Sequence, residues 1–321
     1  MRVICRLIVL LLASASVAVG GPAAAYPERA VTLICPFPAG GAMDIVARNL
    51  VEAMKRHFPK PVAVVNRPGA AGTIGNSEVV QAKPDGYTIG ISAVAVLTVQ
   101  PHRTELPYKT PDDYEPFMNL AAFYPLLVTR EENPWKTAQE FLGAAKASPG
   151  KLRVGSPGEA TSSHLNLEEL MGKADIKVTH VPFSGWGEGS PALLGGHVEA
   201  LVAQPGEVRP HVEARRLRIL GVFQPARNPY FPDVPTWKEL GYQVHNGVSF
   251  LVVVSKATPP DVVRYLHDAT RAAMDEASFT NFAKARVIEL DYRAGDKLRA
   301  DLWQEFRNHT EILKRIGMIK K

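Results

Sequence analysis

Three short stretches of the chain carry residue types able to grip a small ligand. In the first, Pro36, Phe37, Pro38, Ala39, Gly40 and Gly41 lie between an apolar run at 31–35 and a helical pattern that starts near Ala42. Gly40 and Gly41 lack a Cβ, so backbone N–H groups there could approach a bound group closely. The helix start adds unpaired N–H groups and a partial positive charge. A carboxylate or phosphate would suit such a cradle. The same residues also fit a tight turn with no ligand, in which Asp44 only stabilises the first helical turn. The second stretch, residues 66–75, places Gly69, Ala70, Ala71, Gly72 and Thr73 between a strand signal and a helix signal. Its glycine spacing matches neither a dinucleotide fingerprint nor a P-loop. Two bare-backbone loops side by side favour an anion cradle over either loop alone.

The third stretch, residues 155–164, holds Ser156 and then Thr161, Ser162 and Ser163 directly before a helix. Short hydroxyl residues are good helix caps. They are equally short donors at a helix start, able to hold a carboxylate oxygen. Residues 181–185, with Phe183, Ser184 and Gly185, offer a similar loop in the same half of the chain. Catalytic patterns are missing. No G-x-S-x-G surrounds Ser92, Ser163 or Ser184, and no H-E-x-x-H occurs among the 9 histidines. His164 and His180 read as capping or packing residues. Plentiful donors without an evident reactive group favour binding over turnover. A hydrolase using Ser162 or Ser163 with His164 is the competing reading.

These loops need elements to hold them. Helical spacing at Met43, Val46, Ala47, Leu50, Met54 and Phe58 follows the first loop. Strand signals at 31–35, 62–65 and 87–91 alternate with it and predict a parallel sheet covered by helices. A second series runs through a strand at 126–129, a helix at 134–147 and a strand at 152–155. It continues with a helix at 165–171, a strand at 178–181, a helix at 191–194 and strands at 198–203 and 217–223. After a return segment at 250–254, two amphipathic helices close the chain. One carries Val262, Leu266, Ala269 and Ala273 on one face; the other carries Leu298, Leu302, Phe306, His309, Leu313 and Ile316, with Gly317 as cap. The expectation is an α/β protein of two lobes.

Residues 1–25 belong to another regime. Arg2 and Arg6, an apolar stretch and Ala23, Ala24 and Ala25 predict a secretory signal peptide, removed before Tyr26. Without it the formal charge falls from +5 to +3, because two arginines and no acids are lost. That mild surplus suits small anions. The basic cluster Arg215, Arg216, Arg218 lacks interleaved aromatics and reads as a solvated edge, so no nucleic-acid partner is expected. Of the 2 cysteines, only Cys35 remains in the exported chain, which leaves no internal disulfide or structural zinc site. Cys35 reads as a small buried residue.

The chain resembles the substrate-binding receptors of tripartite tricarboxylate transporters, the Bug family. The likeness is carried by Tyr26-Pro27, by Pro36 to Gly41 with Asp44, Ala47 and Arg48, by Asn66 to Gly72, and by Pro84 to Thr88. Ser163-His164-Leu165, Val181-Pro182-Phe183 with Gly185, Leu194 to Val198 and Pro232 to Thr236 continue it in order. The resemblance implies a periplasmic binding protein of type II-like form, two α/β lobes joined by a hinge with the ligand cleft between them. Residues 26–124 and 247–321 would form lobe 1 and residues 125–246 lobe 2. It implies a monomeric, non-enzymatic receptor without cofactor or metal. That receptor would capture a small organic acid and deliver it to the membrane permease subunits of the transporter, or alternatively signal to a sensor kinase. Backbone amides of Phe37 to Gly41 and Gly69 to Thr73 would hold the carboxylate, with side-chain contacts from Thr161, Ser162 and Ser184. This chain departs from the family pattern at Trp186, Glu188 and Gln204. Trp186 and Glu188 either reshape the pocket, or admit a partly cationic or aromatic ligand, or point to solvent; Gln204 is unusual at a strand end facing the cleft.

Overall fold

The structure, a computed structural model, describes residues 26–244 and 246–320. The expected signal peptide lies outside the described residues. In chain order the strands are β1 (Val31–Cys35), β2 (Val62–Asn66), β3 (Thr88–Ala93), β4 (Tyr114–Phe123), β5 (Leu126–Arg130) and β6 (Arg153–Ser156). They continue as β7 (Thr179–Pro182), β8 (Ala200–Ala203), β9 (Leu217–Val222), β10 (Val248–Ser255) and β11 (Glu289–Arg293). The helices are α1 (Ala42–Met54), α2 (Thr73–Val80), α3 (Val94–Thr98), α4 (Ala138–Ala147) and α5 (Ser162–Ala174). Then follow α6 (Trp186–Leu194), α7 (Pro205–Glu213), α8 (Pro260–Asp275), α9 (Ala277–Ala285) and α10 (Gly295–Arg315).

Two sheets result. One has the order β11-β4-β10-β3-β1-β2 and the other β7-β6-β8-β5-β9. The βαβ reading holds for β2-β1-β3 and for β7-β6-β8, which are parallel. Each sheet also takes in antiparallel strands, which the βαβ pattern did not mark. β4 carries the chain out of the first sheet and β10 brings it back, so the two run in opposite directions and pair antiparallel from Val248↔Phe123 to Ser255↔Tyr114. β5 enters the second sheet and pairs antiparallel with both β8 and β9. A strand that enters from elsewhere needs no crossover helix, and antiparallel pairing is then the available geometry.

Each sheet has its own apolar core. Under the first lie Leu33, Leu50, Met54, Ile89, Ile91 and Leu266 on one side, and Leu97, Tyr108, Tyr114 and Leu302 on the other. Under the second, Phe141, Leu170, Val202, Phe223 and Trp237 pack together, with Trp237 fully buried against Phe223. Burying one such side chain contributes about 1.5–3 kcal/mol. The predicted face of the last helix is mostly real: Leu298, Leu302, His309 and Leu313 are buried, and Gly317 (φ 70°) turns the chain out of it. The helix expected at 134–147 starts later because Thr137 accepts a hydrogen bond from the Glu140 amide and so sets the N-terminus. A smaller cluster joins the two halves, where Ala95 and Val99 meet Ala160 and Leu165 beside Leu313. There Gln100 Nε2 donates to the carbonyls of Glu159 (3.3 Å) and Ala160 (3.1 Å).

Candidate functional site

The loops singled out above follow the carboxyl ends of β1, β2, β6, β7 and β8, where open α/β sheets present their ligand sites. They surround a cavity of about 480 Å³ between the two sheets. That size is typical of a small-molecule site.

On the side of the first sheet, β1 runs through Phe37 and Pro38 to Gly41, the extended N-cap residue of α1 (φ −75°). Phe37, Ala39, Gly40 and Gly41 line the cavity, as do Ala42 and Met43. Asp44 does not; it is 2% exposed and lies beneath the loop. Its carboxylate accepts from the Gly40 amide (2.9 Å), Arg48 Nε (2.9 Å) and Asn66 Nδ2 (2.8 Å), and Asn66 also donates to the Phe37 carbonyl (3.0 Å). Burial opposes the charge, but the bonds from Arg48, Gly40 and Asn66 outweigh it and hold the carboxyl below its ordinary value. Asp44 is therefore the internal scaffold of the cradle. The amides of Gly40 and Gly41 already have acceptors, Asp44 Oδ2 and the Pro38 carbonyl (3.3 Å).

The second loop is a run of left-handed residues: Gly69 (φ 130°), Ala70 (46°), Ala71 (52°) and Gly72 (93°). Alanine reaches this region only under strain, and strain of this kind collects at ligand sites. Gly72 is confined as well: a Cβ there would meet Val96 Cγ2 at 3.0 Å and the Phe37 ring at 3.3 Å. Of this loop only Ala71 lines the cavity. Gly69, Ala70, Gly72 and Thr73 form the turn behind it, closed by the Gly72 amide on the Gly69 carbonyl (2.9 Å) and by Thr73 Oγ1 on the Ala70 carbonyl (3.0 Å).

The opposite wall is made of helix N-termini. Thr161 caps α5, accepting from the His164 amide (3.4 Å) and donating to the Gly158 carbonyl (3.1 Å). Thr161, Ser162 and Ser163 line the cavity. Ser162 is 2% exposed and its Oγ has no hydrogen-bond partner among the described residues. Ser156 lies deeper, fully buried, with Oγ donating to the Gly158 carbonyl (3.1 Å) and paired with His180 Nε2 (2.8 Å). Burial, aided by the neighbouring His164, lowers His180 to about 4. His164 stacks on His180 at 3.7 Å, and its ring nitrogens meet the Ala160 amide and Glu168. Neither Ser162 nor Ser163 reaches His164 with its hydroxyl, so the serine–histidine pair the sequence allowed is not formed there.

At the end of β7, Ser184 and Gly185 line the cavity, whereas Phe183 packs beneath against Gly155 and Leu201. Trp186 and Glu188, left open by the sequence, both line the cavity, and Trp186 meets His211 edge-on at 5.6 Å. Glu188 accepts from the Ser184 hydroxyl (2.6 Å) and amide (2.8 Å), and these bonds lower its carboxyl. At the end of β8, Gln204 lines the cavity, 8% exposed, with Oε1 unpartnered among the described residues. Glu207 sits three residues on and accepts from the Gln204 amide (3.0 Å). Burial raises Glu207 to about 7 against the pull of the Gln204 and Ala42 amides. The sequence reading missed Glu207, although a proline at the first helical position and a glutamate at the third are a helix-start signature. It also missed Gln100, Val248 and Phe250, which reach the cavity from the first sheet's side with no local signal.

Among the described residues lining the cavity, none is Lys, Arg or His. No cluster of His, Cys, Asp and Glu suited to a metal ion occurs among the described residues.

A family profile described as "Tripartite tricarboxylate transporter family receptor" matches residues 46–318. The "UPF0065 protein in gbd 5'region" of Cupriavidus necator is 35% identical over 295 residues, spanning 92% of this chain and 90% of that protein. A solved structure described as a periplasmic transporter superposes with a TM-score of 0.86 at 30% identity, over 92% of this chain and 99% of that one. MatC of Rhodopseudomonas palustris with bound malate gives a TM-score of 0.82 at 25% identity, over 90% and 100%. The two-sheet architecture, the order of the cavity loops and these matches agree: the chain belongs to the family of tripartite tricarboxylate transporter receptors.

Proposed function

We propose that this protein is a periplasmic receptor that captures a small organic carboxylate between its two lobes and delivers it to the membrane permease of a tripartite transporter. The observation that carries the reading is the cavity itself. It lies between two separately cored sheets, at strand carboxyl ends, and is lined by bare backbone on one side and by helix N-termini on the other. The malate held by MatC supports the ligand class. Residues 26–124 with 247–321 and residues 125–246 act as the two lobes, hinged where the chain crosses near Tyr124 and Asn246. Export by the leader at 1–25 brings the receptor to the periplasm. Because Gly40 and Gly41 amides are already engaged, the donors for a carboxylate include the first-turn amides of α5, the Ser162 hydroxyl and the amides of Ala39 and Ala71.

Closure would exclude water and strengthen each charge-assisted hydrogen bond to the bound carboxylate. A thermal-shift screen against mono-, di- and tricarboxylates, followed by calorimetry, tests the reading. At least one acid raises Tm and binds with 1:1 stoichiometry. Gly41→Asp provides the control. Its φ accepts any residue and aspartate is a good N-cap, so the fold survives while a carboxylate enters the cavity. Unchanged affinity in that variant, or no acid bound by the wild type, would overturn the proposal.

A further inference from the structure

Building on the cavity as a carboxylate site, we propose that it accepts one carboxylate only, from an acid with an apolar body whose far end donates hydrogen bonds. Three helix N-termini of the second lobe face the cavity, and the sheet order sets them side by side. β6 lies between β7 and β8, so the start of α5 is flanked by the starts of α6 and α7. Each start is a potential anion site. At α6 the position is filled by the protein: Glu188 takes both the hydroxyl and the amide of Ser184. At α7 it is filled by Glu207, which takes the Gln204 amide and faces the Ala42 amide at the start of α1.

Only the start of α5 is left. There the buried Ser162 hydroxyl lacks a partner among the described residues, and the adjacent Ser163 also lines the cavity. A ligand carboxylate bonded to Ser162 would satisfy a group that is otherwise costly to bury. The neighbouring positions carry acceptors: the Glu188 carboxylate and, beside it, Gln204 and Glu207, which also line the cavity, with the Glu207 carboxyl raised to about 7 by burial. Glu188 is ionised at neutral pH, its carboxyl lowered by the Ser184 bonds. Among the described residues no cationic side chain lines the cavity to offset it; Arg286 borders a separate cavity of about 40 Å³ beyond Glu207. A second ligand carboxylate would lie beside a like charge, whereas an ammonium, amide or hydroxyl would find acceptors waiting. Trp186, Phe37 and Phe250 supply the apolar walls between.

Two matched pairs of acids test this by calorimetry: 5-aminopentanoate against adipate, and 4-aminobenzoate against terephthalate. Within each pair the body is constant and only the far end changes from donor to carboxylate. The donor-ended acid should bind about tenfold or more tightly. Glu188→Gln, at an exposed position, should shrink that preference at least threefold by improving the diacids (an estimate on the same electrostatic grounds). Ser162→Ala should weaken the donor-ended acids about tenfold or more while leaving the fold intact. Diacids binding as tightly as their partners, or a preference untouched by Glu188→Gln, would overturn the inference and leave the receptor reading standing. If none of the four binds, this inference falls, and the receptor reading is judged by the broader acid screen.

Discussion

The two walls of the cavity are built on opposite plans. The wall from the first sheet is made of small residues and apolar side chains: Ala39, Gly40, Gly41 and Ala71 stand beside Phe37, Val248 and Phe250, and the charged groups that shape it are tucked behind. Asp44, Asn66 and Arg48 form that hidden support. The wall from the second sheet is side chain: Thr161, Ser162, Ser184, Glu188, Gln204 and Glu207 reach the cavity directly. The difference teaches where discrimination resides. Backbone amides answer to any carboxylate, whereas side chains with fixed charge decide what else the ligand carries.

Substitutions that break one wall without touching the other sharpen this comparison. The largest effect is expected at Asp44. Replacing it by alanine orphans the Gly40 amide, takes one of the two acceptors of Asn66 Nδ2 and removes the carboxylate that pairs with Arg48, at a cost of about 3 kcal/mol in urea denaturation. A loss under about 1 kcal/mol would mean that the first wall does not depend on its buried carboxylate. Since Asp44 is lowered in the folded chain, its contribution is present above its ordinary value near 3.8 and fades as pH falls below that.

Glu207 has the opposite sign. Unfolded it titrates near 4.5, and folded at about 7. Between those values the folded protein holds a proton that the unfolded chain has released, so stability falls as pH rises through that window. The penalty above pH 7 is on the order of 1–3 kcal/mol. Glu207→Gln should therefore gain Tm over wild type as pH goes from 5 to 7.5. A pH-independent difference would show that burial does not act on this group.

Gly206→Ala probes the contact between the walls. A Cβ on Gly206 would run into the Arg286 carbonyl, and backbone on both sides cannot yield cheaply. The lobes must shift apart, so ligand affinity should drop about tenfold while the two separate cores keep Tm within a few degrees. Equal affinity by calorimetry would argue that closure does not depend on this approach. The smallest effect is expected for Thr161→Ala, which removes a long cap hydrogen bond from α5 and should cost about 0.5–1 kcal/mol by urea denaturation.

Much of the fold was legible because it is local. Period-two and period-3.6 patterns marked β1, α1, β2, α5, β10 and α10 with boundaries a few residues off. β4, with Pro116 and Asn119 inside it, showed no clean alternation, because it is buried on both faces between β10 and β11. In the site, Phe37, Ala39, Gly40, Gly41, Ala71, Thr161, Ser162, Ser184, Gly185 and Gln204 were named from sequence and do line the cavity. Asp44, Gly69, Ala70, Gly72, Thr73, Ser156 and Phe183 were named with them but serve as the layer beneath. Loop composition reveals where a turn is tight; it does not say which of its atoms face inward.

By itself the sequence determined the loops, the helix starts and the family, since glycine freedom, capping residues and hydrophobic period act over a few residues. Tertiary structure alone decided that the starts of α5, α6 and α7 face one cavity, and that the buried Ser162 hydroxyl is left without a partner among the described residues. The bonds of Glu188 and Glu207 are local, to Ser184 and Gln204, but which helix starts share one cavity depends on the order β7-β6-β8, which is set only when strands distant in sequence pair.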